Sequence, residues 1–463
     1  MMRTTDPQTS APAMWPSSLA FLRTGRHGTV TEIGGPVNDL LKHHADHIIG
    51  SPFGTWGATR WPLRVVTDMA TALAAGEVFA AYLPLDGRDG EKWTFALMFP
   101  LAGGVLAIHA EPATQVALDE AQAWYRSVAE AEAAARADGA DDDAIGAAGG
   151  RAAESYWSQS IWATHEEFLA AAVIDQATAV AGVALAQAVT PVTGDPMEDM
   201  RAVIGGMEAN LGSRLRETEG IPQLVERLRE TSWGTVEMMG TLGRISSAAV
   251  IGSSEAGASA PVLLATAKAV AAFGARATGG LDTVGGHVRT TRSLVAHLGI
   301  HMGAVTLLAH VVAAAAATAW PPKDPGPGTV PAASVAEMAR LLVGMLDDLI
   351  GELGATRDAL ARTADLAVAA ASDVAAFHQM AGSWRLQLPR WDVADRLGPY
   401  LSAMDGRARL GGEQVGHLQG LADGCRHGIE RCVTTGLFEA MNEIDALAVA
   451  ARGPRGRHAG DTP

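Results

Sequence analysis

The first place where this chain could do chemistry is KHHADHIIG, which holds His43, His44 and His47. His43 and His47 lie four residues apart, so a helix would put them on one face, as a metal pair requires. The only further ligand type nearby is Asp46, better placed to cap the next helical turn. A closed site needs more ligands, so these histidines read as surface residues. A second group is better suited to binding: Trp56, Arg60, Trp61 and Trp93. A guanidinium pairs with phosphate or carboxylate, and an indole stacks on a planar ring. The same tryptophans could instead fill a core or its seam with neighbouring helices. These four are the candidate ligand-pocket residues.

Other reactive residues offer less. Cys425 and Cys432 are seven residues apart in a helical stretch. That is about 10.5 Å along a straight helix, too far for a disulfide, so they read as buried inert thiols. His297 and His301 share a helix face without a third ligand. Gly205-Gly206 and Gly285-Gly286 follow no strand and make no phosphate loop. No nucleophile phrase such as G-x-S-x-G and no paired-carboxylate pattern occurs, so the chain is not expected to be an enzyme.

The elements that must position these residues run from Leu19 to Glu111. Ser18–Thr24 and Thr29–Ile33 read as two strands around Gly25-Arg26-His27-Gly28. Val37, Leu40 and Leu41 give a helical apolar face, and Leu63–Ala75 is a second helix stopped by Gly76. Glu77–Leu85, Lys92–Leu101 and Val105–Ala110 are three further strands separated by glycine-containing turns. Almost everything after Thr114 reads as helix, with an acidic, Gly-rich linker at Asp138–Gly150. Pro321 to Gly328 breaks the helices. Beyond it Leu342, Leu346, Leu349, Leu353, Leu360 and Ala367 form a bundle stripe, with Thr356 and Thr363 in the same seam.

The fold class is therefore α+β: an antiparallel sheet domain followed by a mostly helical body of long bundle or coiled-coil helices. Expected divisions are 1–17 disordered, 18–113 sheet domain, 114–195 helical connector, 196–320 helical hairpin, 321–331 linker, 332–450 C-terminal bundle and 451–463 tail.

The order and phrases of 18–113 resemble a PAS domain of the kind that fronts soluble or aerotaxis-type chemoreceptors. GTVTEIGGPVNDLLKHHADHIIG approximates the family's first phrase through Gly28, Asn38, Leu41, Ile49 and Gly50. Gly76-Glu77, Asp89-Gly90, Trp93 and Pro100 match its last strands. The next helices resemble the connector of that group, with Trp124-Tyr125, Glu132 and Ile161–Leu169 at the corresponding positions. Residues 196–320 would be the counterpart of the methyl-accepting signalling hairpin. At its tip, Ser253–Pro261 lacks the family's arginine, second glutamate and Gly-Phe pair, and paired methylation sites are not visible. Family members hold a flavin through an Arg-His-Pro phrase, here Arg60-Trp61-Pro62. The cofactor is unassigned: an unidentified ligand or none is the first expectation, and the resemblance offers FAD ahead of haem as the alternatives.

The resemblance also implies a homodimer that engages a chemotaxis histidine kinase and its coupling protein. A net charge of −16 over 463 residues argues against nucleic acid. Two cysteines and an N-terminus without an apolar h-region fit the cytoplasm. The stretch 293–320 is long enough to span a bilayer, but its three histidines and many alanines favour a buried bundle helix. The expected function is signal transduction of the chemotaxis or aerotaxis type. The alternatives are a scaffold or adaptor that uses the PAS-like domain for dimerisation, and a helical metal-dependent enzyme.

Overall fold

A computed structural model describes residues 18–40, 45–55, 60–87, 90–184, 195–217, 220–254, 260–319, 330–387, 394–432, 434 and 436–451. Expectations for the N-terminus, His43, His44, Trp56, tip residues 255–259, most of the Pro/Gly linker and the tail after 451 lie outside them. The chain is α+β. Strands β1 (Leu19–Thr24) and β2 (Val30–Gly34) are followed by short helices α1 (Val37–Leu40) and α2 (Ala45–Ile48), then α3 (Leu63–Ala75). Strands β3 (Phe79–Gly87), β4 (Gly90–Leu101) and β5 (Gly104–Ala110) complete an antiparallel sheet of order β2-β1-β5-β4-β3.

Pattern and turn chemistry explain these elements. Thr94 to Phe99 of β4 are all buried, a continuous run that marks a strand covered on both faces. Two-residue turns need unusual backbone, and β5 starts at Gly104 with φ +153. A Cβ there would sit 2.0 Å from the Thr24 carbonyl oxygen, so the approach of β1 to this turn requires glycine. Gly76, left-handed at φ +83, closes α3 by donating its N–H to the Leu73 carbonyl.

Nine helices follow the sheet: α4 (Gln115–Ala137), α5 (Asp142–Gln159), α6 (His165–Ala184), α7 (Pro196–Glu217), α8 (Gly220–Ser254), α9 (Ala260–Thr318), α10 (Ala332–Gln387), α11 (Ala394–Arg431) and α12 (Leu437–Ala451), counted among the described residues. The acidic stretch expected as a linker over Asp138–Gly150 is helical from Asp142. Asp141 caps it, its Oδ1 accepting the Ala144 N–H at 2.9 Å, and Asp142 and Asp143 favour the first turn. The glycines there serve helix packing: a Cβ at Gly149 would meet Glu132 Oε1 at 2.6 Å.

The chain forms two compact units, residues 1–216, 297–350 and 434–463, and residues 217–296 and 351–433. The first holds the sheet. One of its faces meets α4 and α6 through Trp93–Tyr125 and Tyr82–Phe168 ring contacts, at centroid separations of 5.0 and 6.0 Å. The second unit is built on one core shared by α8, α9, α10 and α11, with Leu228, Leu281, Phe377 and Leu421 among its buried members. A boundary drawn between 320 and 332 thus separates helices that share this core. Every leucine of the expected stripe from Leu342 to Leu360 is buried, as is Ala367. Lys268–Thr318 is long and apolar enough to cross a membrane, and its most apolar window is 72% buried.

Candidate functional site

The site grows from the start of α3. Pro62 precedes this helix and offers no side-chain cap. The orphan N–H groups of its first turn are met from another helix: Leu63 N–H donates to Glu132 Oε2 at 2.7 Å and Arg64 N–H to Glu132 Oε1 at 2.8 Å. Glu132 belongs to α4 and is buried. This contact fixes the segment Arg60-Trp61-Pro62 against α4 and the β3–β4 pair.

Arg60 and Trp93 come together there. Arg60 Nε lies 2.7 Å from Asp86 Oδ1 and its Nη1 lies 2.7 Å from Glu91 Oε2. Trp93 Nε1–H donates to Glu91 Oε1 at 2.6 Å, so one carboxylate bridges guanidinium and indole. Trp93 also meets Tyr125 edge-to-face, at an interplanar angle of 84°. Trp61 goes elsewhere. It is 7% exposed, its Nε1–H donates to the Pro84 carbonyl at 3.0 Å, and its ring packs near Phe53. Trp61 therefore supports the floor of the site from beneath, and Trp56 lies outside the described residues.

An open cleft of about 330 Å³ occupies this place, with Arg60, Pro62, Pro84, Glu91 and Trp93 on one side. The other wall is one face of α4, formed by Gln122, Tyr125, Arg126 and Ala129. Sequence reasoning missed Gln122 and Arg126, because it sought the pocket within the sheet domain. Their i, i+3, i+4, i+7 spacing with Tyr125 and Ala129 was the available signal.

Behind the cleft lies an aromatic cluster. Trp124 of α4, Trp157 of α5 and His165 of α6 are stacked, with His165 4.5 Å from Trp124 and 5.4 Å from Trp157. Phe168 continues the stack 5.1 Å from Trp157. Burial first, and then the Arg64 charge, push the His165 pKa down to about 4. Burial alone raises the Tyr125 phenol, which stays protonated. On β5, His109 is buried and bonded through Nδ1 to Thr94 Oγ1 at 3.1 Å, while its Nε2 has no partner among the described residues. Burial lowers its pKa to about 4. His109 was not singled out from sequence, since it occupies an ordinary strand position.

Among the described residues no group of three His, Cys, Asp or Glu side chains could hold a metal ion. His297 turns toward Glu166 on α6 at 3.8 Å. The described part of the flavin phrase does not suit a flavin phosphate. Both sides of the Arg60 guanidinium already hold carboxylates, and Trp61 Nε1–H is spent on backbone. The cleft volume is also near the lower end of small-molecule sites, about 300–1,000 Å³. No family model and no curated protein matches this chain.

Proposed function

We propose that the chain is a signal-transduction protein, with a PAS-like sensor at residues 18–113 and the long helices as its output. The observation that carries this reading is the path of α10. Its first turn is bound to the sheet: Arg23 of β1 donates from Nη1 to Glu32 Oε1 of β2 at 3.0 Å and to Ser334 Oγ at 2.9 Å, and its Nη2 pairs with Glu337. The same helix supplies Leu360, Ala367, Val374 and Phe377 to the four-helix core of the second unit. The order of hairpin, small helices, longer helix and three strands supports the PAS resemblance.

The mechanism is a population shift: a ligand that favours one packing of sheet against helices biases the register or order of α10. The output is of the chemotaxis or aerotaxis type, from a cytoplasmic homodimer that engages a histidine kinase and its coupling protein. Co-purification of that kinase with the full chain tests the output, and the absorbance spectrum of the purified protein tests whether any flavin or haem is bound. Kinase capture supports the reading. Failure to capture it, together with α10 exchange rates that ignore Arg23→Met, would favour the scaffold alternative.

A further inference from the structure

The cleft between α4 and the β3–β4 pair has a lopsided charge distribution. Arg60 is already neutralised by Asp86 and Glu91. Arg126, at the other wall, is exposed and has no ion pair among the described residues, and the Gln122 amide beside it has no hydrogen-bond partner there. One guanidinium and one amide are therefore available, with a carboxylate, Glu91, facing them across the cleft. Such a site suits a single negative charge. Among the described residues a phosphate dianion would meet one free cation and the repulsion of Glu91.

Between these ends the walls are aromatic and apolar. Trp93 is half-buried with its N–H fixed by Glu91, so the indole is held in one orientation. Tyr125 stands edge-on to it and is 6% exposed; its hydroxyl is buried and has no partner among the described residues, so the cleft meets the ring and not the O–H. Pro62, Pro84 and Ala129 complete a lining without further charge among the described residues. Rigid aromatic walls with a few convergent polar groups are the usual make-up of small-molecule sites.

We infer that this cleft binds a small planar aromatic monocarboxylate, its ring against Trp93 and its carboxylate on Arg126 and Gln122. The site gives the sensor proposed above a ligand class, and its use as a signal rests on that reading. Binding itself does not.

Titration calorimetry of the full chain with benzoate and with indole-3-carboxylate tests it. At least one should bind with Kd below about 1 mM, and benzamide, which keeps the ring without the charge, should bind at least about tenfold more weakly. Cyclohexanecarboxylate should lose affinity to a similar degree. Arg126 is exposed, so Arg126→Ala should fold and yet lose about tenfold or more, with Arg126→Lys intermediate because it keeps charge without the bidentate fork. No heat from either acid up to about 10 mM, equal binding of benzamide, or an unchanged Kd in Arg126→Ala would overturn the proposal. Binding without a change in α10 hydrogen exchange would keep the site and sink its role as a signal. Absence of binding would leave the kinase co-purification result standing.

Discussion

Glu132 caps a helix to which it does not belong. Its two carboxylate oxygens accept the Leu63 and Arg64 N–H groups at 2.7 and 2.8 Å, while the side chain is 3% exposed. A residue 69 positions downstream of Leu63 thus satisfies the N-terminus that Pro62 cannot cap. Charge and dipole agree, since a carboxylate at a helix N-terminus faces its positive end. The cap also ties the sheet domain to the connector that follows it.

Removing the cap should be costly. Glu132→Ala leaves two partly buried N–H groups without their acceptors, and hydrogen bonds to a charged group contribute about 1.5–3 kcal/mol each. The expected loss is about 2–4 kcal/mol, read as a lower urea midpoint with the slope unchanged. Glu132→Gln should lose less, because one acceptor oxygen remains. A Glu132→Ala stability equal to the parent's would mean that α3 does not depend on this contact.

Gly149→Ala should destabilise although it lies inside a helix. Propensity alone favours alanine by about 1 kcal/mol. The new Cβ, however, would sit 2.6 Å from Glu132 Oε1 and 3.0 Å from its Cγ, and that oxygen cannot yield without releasing the Arg64 N–H. Loss of the cap outweighs the propensity gain, for a net cost of about 1–2 kcal/mol. A more stable Gly149→Ala protein would show that α4 and α5 part easily.

Stability should fall in acid because of a buried histidine. The His109 pKa is lowered from 6.5 to about 4 by burial. Between those values the unfolded chain binds a proton that the folded chain does not, so stability is intact above pH about 6.5 and declines towards pH about 4. The shift corresponds to at most about 3 kcal/mol. His165 adds a contribution of the same sign, whereas Asp175, raised by burial, opposes it. Urea midpoints at pH 7.5, 6 and 5 should therefore drop less in His109→Gln than in the parent. An equal drop would assign the acid sensitivity to other groups.

Arg23 is the residue through which β1 and β2 hold the start of α10. Its side chain and that of Glu32 are 18% and 22% exposed, so Arg23→Met leaves a poorly solvated carboxylate without its cation. A loss of about 1–3 kcal/mol is expected. Hydrogen exchange should quicken over Val30–Gly34 and the first turns of α10. Exchange that quickens only in β2 would mean that the sheet does not hold α10.

Much of this fold was legible from pattern, and the reasons for the exceptions are local. The strands were visible because Leu19–Leu22 and Phe95–Phe99 are unbroken apolar runs close to glycine turns, and the α10 stripe because its leucines recur at helical steps. Asp138–Gly150 misled because glycine usually marks a loop, whereas Gly149 is there to admit Glu132. Arg60 and Trp93 were found through their chemistry. Arg126 was not, because its spacing with Gln122, Tyr125 and Ala129 marks a helix face without saying that this face lies beside the β3–β4 pair. Glu132 was singled out by a resemblance alone, and its role as a cap for Leu63 depends on a contact 69 residues apart in sequence that no local pattern shows.

The threonine seam of the second unit offers a test in which two similar substitutions should have opposite signs. Thr356 and Thr363 lie two turns apart on α10 and are 1% and 0% exposed. Thr363 donates to the Ala359 carbonyl at 2.8 Å, so the Thr291 hydroxyl, 2.9 Å away on α9, is the donor between them. Thr363→Val removes that acceptor and strands a buried hydroxyl, at a cost of about 1 kcal/mol, partly relieved if Thr291 turns to its own helix backbone. Adding Thr291→Val should recover part of the loss, giving a coupling of about 0.5–1.5 kcal/mol in the double-mutant cycle. Thr356 Oγ1, in contrast, has no partner among the described residues. Thr356→Val replaces an unmet polar group with a methyl of the same shape, so it should raise stability by about 1 kcal/mol. If Thr356→Val destabilises as Thr363→Val does, then the Thr356 hydroxyl has a partner in solution, and the seam is a connected polar layer.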